Sequence, residues 1–137
     1  MNINWTSPNL QDAYQEIYYL HSEISKNDFS EIIQASKRVL TLSPHQGLDL
    51  IRSDDGSDAS EILRTGQSLT QISLDYPRIG SILQGTKENT PICAPLVDLN
   101  QDEEIVGTID GRHRILTAAL LGVPRLGLTG SRQQSKV

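Results

Sequence analysis

The chain holds one cysteine, Cys93, in 137 residues. A single thiol excludes an intramolecular disulfide and a Cys-rich zinc site, and it suits a reducing compartment. No apolar run approaches the roughly 18 residues of a membrane span. The opening "MNINWTSPNL" has neither a basic n-region nor an apolar h-region, so no secretory signal is expected and the protein is read as cytoplasmic. Internal repeats and low-complexity runs are absent. Aromatics are sparse, with one Trp, four Tyr and one Phe, and they do not interleave with cations. A stacking platform for nucleic acid is therefore not indicated. What remains is a length that suits one compact domain with a core of its own.

Positive charge is also scarce, and where it lies is informative. The net charge is −5, which argues against non-specific coating of a polyanion. Residues 1–104 carry seven Lys/Arg against sixteen Asp/Glu, whereas residues 105–137 carry five Lys/Arg against Asp110 alone. An acidic body with one basic spot fits a small anionic ligand better than a long one.

Hydrophobic spacing predicts a helical first half. Ser7-Pro8 reads as a cap and first position, followed by Leu10, Ala13, Tyr14, Ile17, Leu20 and Ile24 at helical intervals. Asp28 and Glu31 read as a capping box for a second helix with the stripe Phe29, Ile32, Ile33, Ser36 and Leu40, ending before Pro44. The two would form a helical hairpin, with Tyr14, Tyr18 and Tyr19 in its core and rim, and Trp5 as a packing anchor. "HQGLDLIRSDDGSD" reads as a turn, a short strand or half-turn, and an acidic loop. Asp54, Asp55 and Asp58 could attract a divalent cation, but their spacing matches no calcium loop. The loop is read as solvated, with Asp58 and Glu61 capping a short helix over 59–65 that Gly66 closes.

Beyond residue 66 the texture changes. "SLTQISLD" reads as a strand through Leu69, Thr70, Ile72 and Leu74. "PRIGSILQG" reads as a short helix burying Ile79, Ile82 and Leu83 and ending at Gly85. "PICAPLVDL" is β-rich, with Pro91 and Pro95 at strand starts or sheet edges. "NQDEE" is a hairpin turn and "IVGTI" the next strand. "RHRILTAALL" is a helix with Gly122 just past its end, and "PRLGL" is a last short strand. The fold class is α+β: a helical region over 1–65, a small mixed sheet with short helices over 66–128, and a flexible tail over 129–137, within one compact domain.

Chemistry concentrates at "IDGRHR". Asp110 is a natural N-cap. Gly111 permits a sharp turn and close backbone approach to a ligand. The amides after it point out of the helix start, where the dipole is positive. Arg112, His113 and Arg114 add donors in the same turn. Cations at a helix N-terminus oppose the dipole by a few tenths to ~1 kcal/mol each. Two arginines there make poor sense for stability alone, and they fit phosphate or carboxylate. His113 reads either as part of that site or as a half-buried histidine satisfied within the protein. His21 and His45 are too isolated to be ligands.

The stretch "PLVDLNQDEEIVGTIDGRHRILTAALLGVPRLGL" resembles the central segment of the ParB/sulfiredoxin-like superfamily: a Pro-x-Val strand, a hairpin, a strand ending in a DG-x-x-R turn, an Ala-rich helix, a glycine and a returning strand. "ISLDYPRIGSILQG" is similar to the strand and short helix before it. The resemblance covers about residues 66–128. It implies a nucleotide site in which Gly111, Arg112, His113 and Arg114 hold phosphates, Asp110 helps organise a metal, and Pro95 borders the pocket. Sulfiredoxins place a catalytic cysteine where Arg112 stands, so sulfinic-acid reduction is not expected. Partitioning proteins carry a helix-turn-helix domain after this segment; with nine residues past Leu128 in this sequence, centromere spreading is not expected. The Asp-Gly-x-His-Arg pattern is closest to the free-serine-kinase and ParB-like nuclease branch.

The resemblance implies an enzyme that hydrolyses or transfers a phosphoryl group of ATP, ADP or CTP with Mg²⁺. Asp110 would reach the metal, and His113 would bond a phosphate or shuttle a proton. Glu103 and Glu104 lie near enough in sequence to be considered as a base. Two alternatives remain open: a DNase or DNA-binding module, and a non-catalytic protein that binds a partner through its N-terminal helices.

Overall fold

The computed structural model describes residues 2–7, 11, 14–15, 38–100, 102, 104–123 and 126–132. Most of the expected helical hairpin lies outside them; of its first helix, Gln11, Tyr14 and Gln15 are described and helical. The protein is α+β. Its elements in chain order are β1 (Trp5–Thr6), β2 (Arg38–Leu42), α1 (Pro44–Ser53), α2 (Asp58–Arg64), α3 (Leu69–Asp75), α4 (Pro77–Lys87), β3 (Ile92–Cys93), β4 (Leu96–Leu99), β5 (Ile105–Asp110), α5 (Arg112–Leu120) and β6 (Leu126–Arg132).

Three segments differ from the sequence expectation. Leu40, assigned to a second helix, lies in β2, which pairs antiparallel with β6 and sets Leu40 opposite Leu128. Residues 44–53 form a helix instead of the expected turn and short strand or half-turn. Ser43 caps it in a full capping box with Gln46, and Pro44 takes the first position. That Ser-Pro signal is the one read at Ser7-Pro8 and overlooked here. Residues 69–75 are helical as well. The alternating Thr70, Ile72 and Leu74 suggested a strand, but Ser68 accepts from the Gln71 amide and Gln71 Nε2 bonds the Asp75 carboxylate at 3.1 Å. Only Ile72 of this helix is buried, and Leu74 is 73% exposed.

Helices α3 and α4 pack closely through Gly80, where a Cβ would sit 2.6 Å from the Ser73 carbonyl oxygen. Helix α4 runs past Gly85 to Lys87, burying Ile79 and Leu83 and leaving Ile82 half-buried on a cleft wall. The short helix before Gly66 is present, with Gly66 in the left-handed region at φ 67°. Its cap is Ser57 rather than Asp58, which occupies the first helical position.

The main sheet has the order β2-β6-β4-β5. β4 and β5 form the expected hairpin, whose turn is held by Asn100 Oδ1 accepting from the Asp102 and Glu104 amides, both at 2.9 Å. α5 then crosses over, and β6 returns parallel to β4 and antiparallel to β2. Pro91 and Pro95 each immediately precede a strand, as expected. β6 extends to Arg132, so residues 129–132 belong to the sheet and not to a tail. β2 and β6 thereby join the two regions read from the sequence. α5 is the hub of the core: Ile115, Leu116, Thr117, Ala118 and Ala119 are all buried. They pack with Ile51, Ile62, Ile72, Ile79, Val97 and Leu99. Each large aliphatic side chain so buried contributes about 1.5–3 kcal/mol. This burial fixes where the start of α5 can point.

Candidate functional site

Strand β5 delivers Asp110 to a turn at Gly111, whose φ is 99°. A side chain at Gly111 would be strained by that angle, and it would also collide: a Cβ would stand 2.8 Å from Arg114 Nη2 and 2.9 Å from Pro95 Cβ. Gly111 itself is the N-cap of α5, and its carbonyl accepts from the Ile115 amide at 3.0 Å. Asp110, expected to cap, does not. Its carboxylate takes Arg114 Nη2 at 3.0 Å instead. The first turn of α5 therefore has no side-chain cap and no acidic residue, which leaves the amides at its positive end without an acceptor among the described residues.

The two arginines of the turn are both held within the protein. Arg114 Nη1 donates to the Cys93 carbonyl, so this side chain ties the helix start to both Asp110 and the β3–β4 connection. Arg112 Nε donates to the Asp54 carboxylate, and its Nη2 donates to the Thr108 carbonyl at 3.1 Å. Asp54 caps the C-terminal end of α1. Pro95 is buried behind Gly111 and does not line the cleft described next.

In front of the turn lies an open cleft of about 990 Å³. Its walls are the start of α5, the loop from Asp54 to Ser57, the start of α2, and Arg78 and Ile82 of α4. Asp110, Gly111, Arg112, His113 and Arg114 come together on it, as the sequence suggested. Glu104 sits in the hairpin turn and does not line it; Glu103 lies outside the described residues. Asp54, Asp55 and Asp58, read from the sequence as a solvated loop, line the wall, and so does Arg78, which the sequence did not single out. Arg78, on an exposed face of α4, makes no hydrogen bond or ion pair among the described residues. Asp58, at the start of α2, is likewise without a partner among them. Nothing in the spacing of "YPRIG" marks Arg78, because the packing of α4 against α5 is what brings it there.

His113 is half-buried on the cleft wall, and its imidazole has no hydrogen-bond partner among the described residues. Burial, followed by the charge of Arg78, holds its pKa below the ordinary 6.5; Asp58 opposes this, and Arg112 and Arg114 add to it. The imidazole is therefore neutral at pH 7, with a lone pair available. Asp54 and Asp110 are engaged by Arg112 and Arg114, and Asp55 by Arg64. Among the described residues no three His, Cys, Asp or Glu side chains converge on a metal position. No described helix is long and apolar enough to cross a membrane. The chain matches no protein-family model, and it finds no similar curated protein and no similar solved structure.

Proposed function

We propose that the cleft binds the phosphates of a nucleotide at the N-terminus of α5, and that the protein hydrolyses or transfers a phosphoryl group from it. One observation carries this reading. The uncapped amides of α5, the imidazole of His113 and the guanidinium of Arg78, the last two without a partner among the described residues, border a single cleft. Anion binding at such a helix start needs backbone donors and a cation, and the first turn of α5 and Arg78 offer them. The run from β4 through the hairpin, the glycine turn and α5 to β6 follows the order that the ParB/sulfiredoxin-like resemblance implies, which supports the same reading.

The roles differ from those the resemblance assigns. The amides of the first turn and Arg78 take phosphate oxygens. Arg114 positions the turn through Asp110 and the Cys93 carbonyl. Arg112 reaches a ligand only in competition with Asp54. His113, its imidazole on the cleft wall, is placed to bond a phosphate oxygen or to hand a proton to the leaving group. The donor set does not fit a resident Mg²⁺, since the Asp110 carboxylate is engaged by Arg114 and stands apart from other ligands. No step is therefore assigned to a protein-held metal. The acidic balance of the chain, net −5, disfavours the DNA-binding alternative.

The test is calorimetric titration of the full chain with ATP, ADP and CTP, with and without Mg²⁺, alongside Arg78→Ala. Arg78 is the cleaner probe because Arg114→Ala would also release the turn. Micromolar binding by the wild type is expected, weakened at least tenfold in Arg78→Ala with its unfolding transition unchanged. Failure of the wild type to bind any of the three would overturn the proposal.

A further inference from the structure

We infer that occupation of the cleft by a phosphate-type anion draws a proton onto His113, so that the protein takes up its anion and a proton together. This rests on the reading of the cleft as a phosphate site and adds how that site is regulated.

The argument starts from position. His113 is the second residue of α5, one step past Arg112 and one before Arg114, at the positive end of an uncapped helix. The imidazole is half-buried on the wall of the cleft, and neither ring nitrogen has a partner among the described residues. An imidazole held this way normally finds an acceptor for its N–H, often a carbonyl or a carboxylate. Here the charged groups around it come from every neighbouring element. Arg78 faces it from α4, and Asp58 from α2. Arg112 and Arg114 flank it on α5, each balanced by a carboxylate, Asp54 from the end of α1 and Asp110 from β5. Without a ligand the uncompensated surroundings are a cation, a helix dipole and partial burial, all of which favour the neutral ring, with Asp58 alone opposing them.

A multivalent anion at the helix start reverses this balance. It neutralises the dipole and Arg78, and it supplies the acceptor that the imidazole N–H lacks. An opposite charge within ~4–6 Å moves a titration midpoint by about one to three pH units. Linkage makes the effect reciprocal: whatever factor the anion adds to proton affinity, the proton adds to anion affinity. A midpoint raised by one unit therefore means anion binding about tenfold tighter to the protonated form.

The experiment follows the imidazole Cε1–H resonances of the full chain by NMR from pH 5 to 8.5, with no anion, with saturating sulfate, and with saturating ADP. Sulfate does not titrate in this range, which separates uptake by the protein from uptake by the ligand. His113→Asn identifies the signal by its loss, while His21 and His45 serve as internal controls. The expected result is a His113 midpoint that lies low without anion and rises by about one pH unit or more with either anion. If either anion shifts the backbone amides of residues 112–114 and leaves the His113 midpoint where it was, the inference is overturned while the phosphate site stands. If neither anion perturbs those amides even at pH 5, both are overturned. The wild-type titration decides the matter without depending on how well the variant folds.

Discussion

Two helices begin on the same cleft, and they begin in opposite ways. α2 starts as helix stability demands: the Ser57 hydroxyl accepts from the Ser60 amide at 3.1 Å, and Asp58 and Glu61 place negative charge in the first turn. α5 starts from a left-handed glycine, with no side-chain cap, no acidic residue in its first turn, and Arg112, His113 and Arg114 set against the dipole. Serine caps α1 and α3 in the manner of α2; α4 also lacks a side-chain cap but opens on Pro77, and among the described helices only α5 opens on a left-handed glycine. It is also the helix with five consecutive buried residues, Ile115 to Ala119. Packing on that scale can carry an unfavourable first turn that α2, at seven residues, could not. The contrast teaches that a buried core can hold a helix start which local capping would not, and the proposed phosphate site would give that start a purpose.

The strongest way to break the contrast is at the turn itself. Gly111→Ala adds a methyl against Pro95 and Arg114 and forces a side chain onto φ 99°. A loss of about 3 kcal/mol in denaturant unfolding is expected, since strain at a special angle and overpacking each contribute ~1–3 kcal/mol. Gly56→Ala is the comparison. Its φ is 89°, but a Cβ there meets nothing within 4 Å, so only the strain remains, about 1 kcal/mol. Equal losses in the two variants would mean that the close approach of Pro95 and Arg114 to the turn has no weight.

That turn was also the most legible feature of the sequence. Asp-Gly followed by an Ala-rich apolar run announces a strand, a turn and a helix through local signals alone: a residue free to take positive φ, strand-like residues before it and helix formers after it. The hairpin at Asn100 and the glycine closing α5 at Gly122 were legible for the same reason. What escaped was set by contacts distant in the chain. Arg112 is 58 residues from the aspartate that holds it, and Arg114 is 21 from the carbonyl it bonds. No spacing rule links such pairs, so both arginines looked available for a ligand, while Arg78, unmarked in the sequence, is the cation on the cleft wall without a partner among the described residues. α1 and α3 were missed differently: their serine caps were present in the sequence, but alternating apolar residues outweighed them.

A smaller effect sharpens the comparison from the side of α2. Ser57→Ala removes the acceptor for the Ser60 amide and should cost about 1 kcal/mol of unfolding free energy. Because Ser57 also lines the cleft, the same variant should be titrated with ADP. Its affinity should match the wild type, since the amides proposed to bind phosphate are those of α5. A loss of affinity comparable to that of Arg78→Ala would move the anion to the start of α2 and remove the distinction between the two helices.

The smallest effect concerns pH, and it tests whether the start of α5 is as unfavourable to positive charge as its neighbours imply. The folded protein holds the His113 pKa below 6.5, chiefly through burial and then Arg78. Above 6.5 the ring is neutral in both the folded and unfolded chains, and the stability it is associated with is fully present. As pH falls below 6.5 the unfolded chain takes up the proton first, so stability is lost progressively until the folded-state midpoint is passed. Carboxylates elsewhere titrate in the acid range too, so the informative quantity is the difference between two proteins. Denaturant unfolding of the wild type and of His113→Asn from pH 8 to 5 should give curves that run parallel above pH 7 and converge on the acid side, the wild type losing more. Curves parallel throughout would mean that His113 titrates alike in both states, and that the first turn of α5 does not repel a proton at that position.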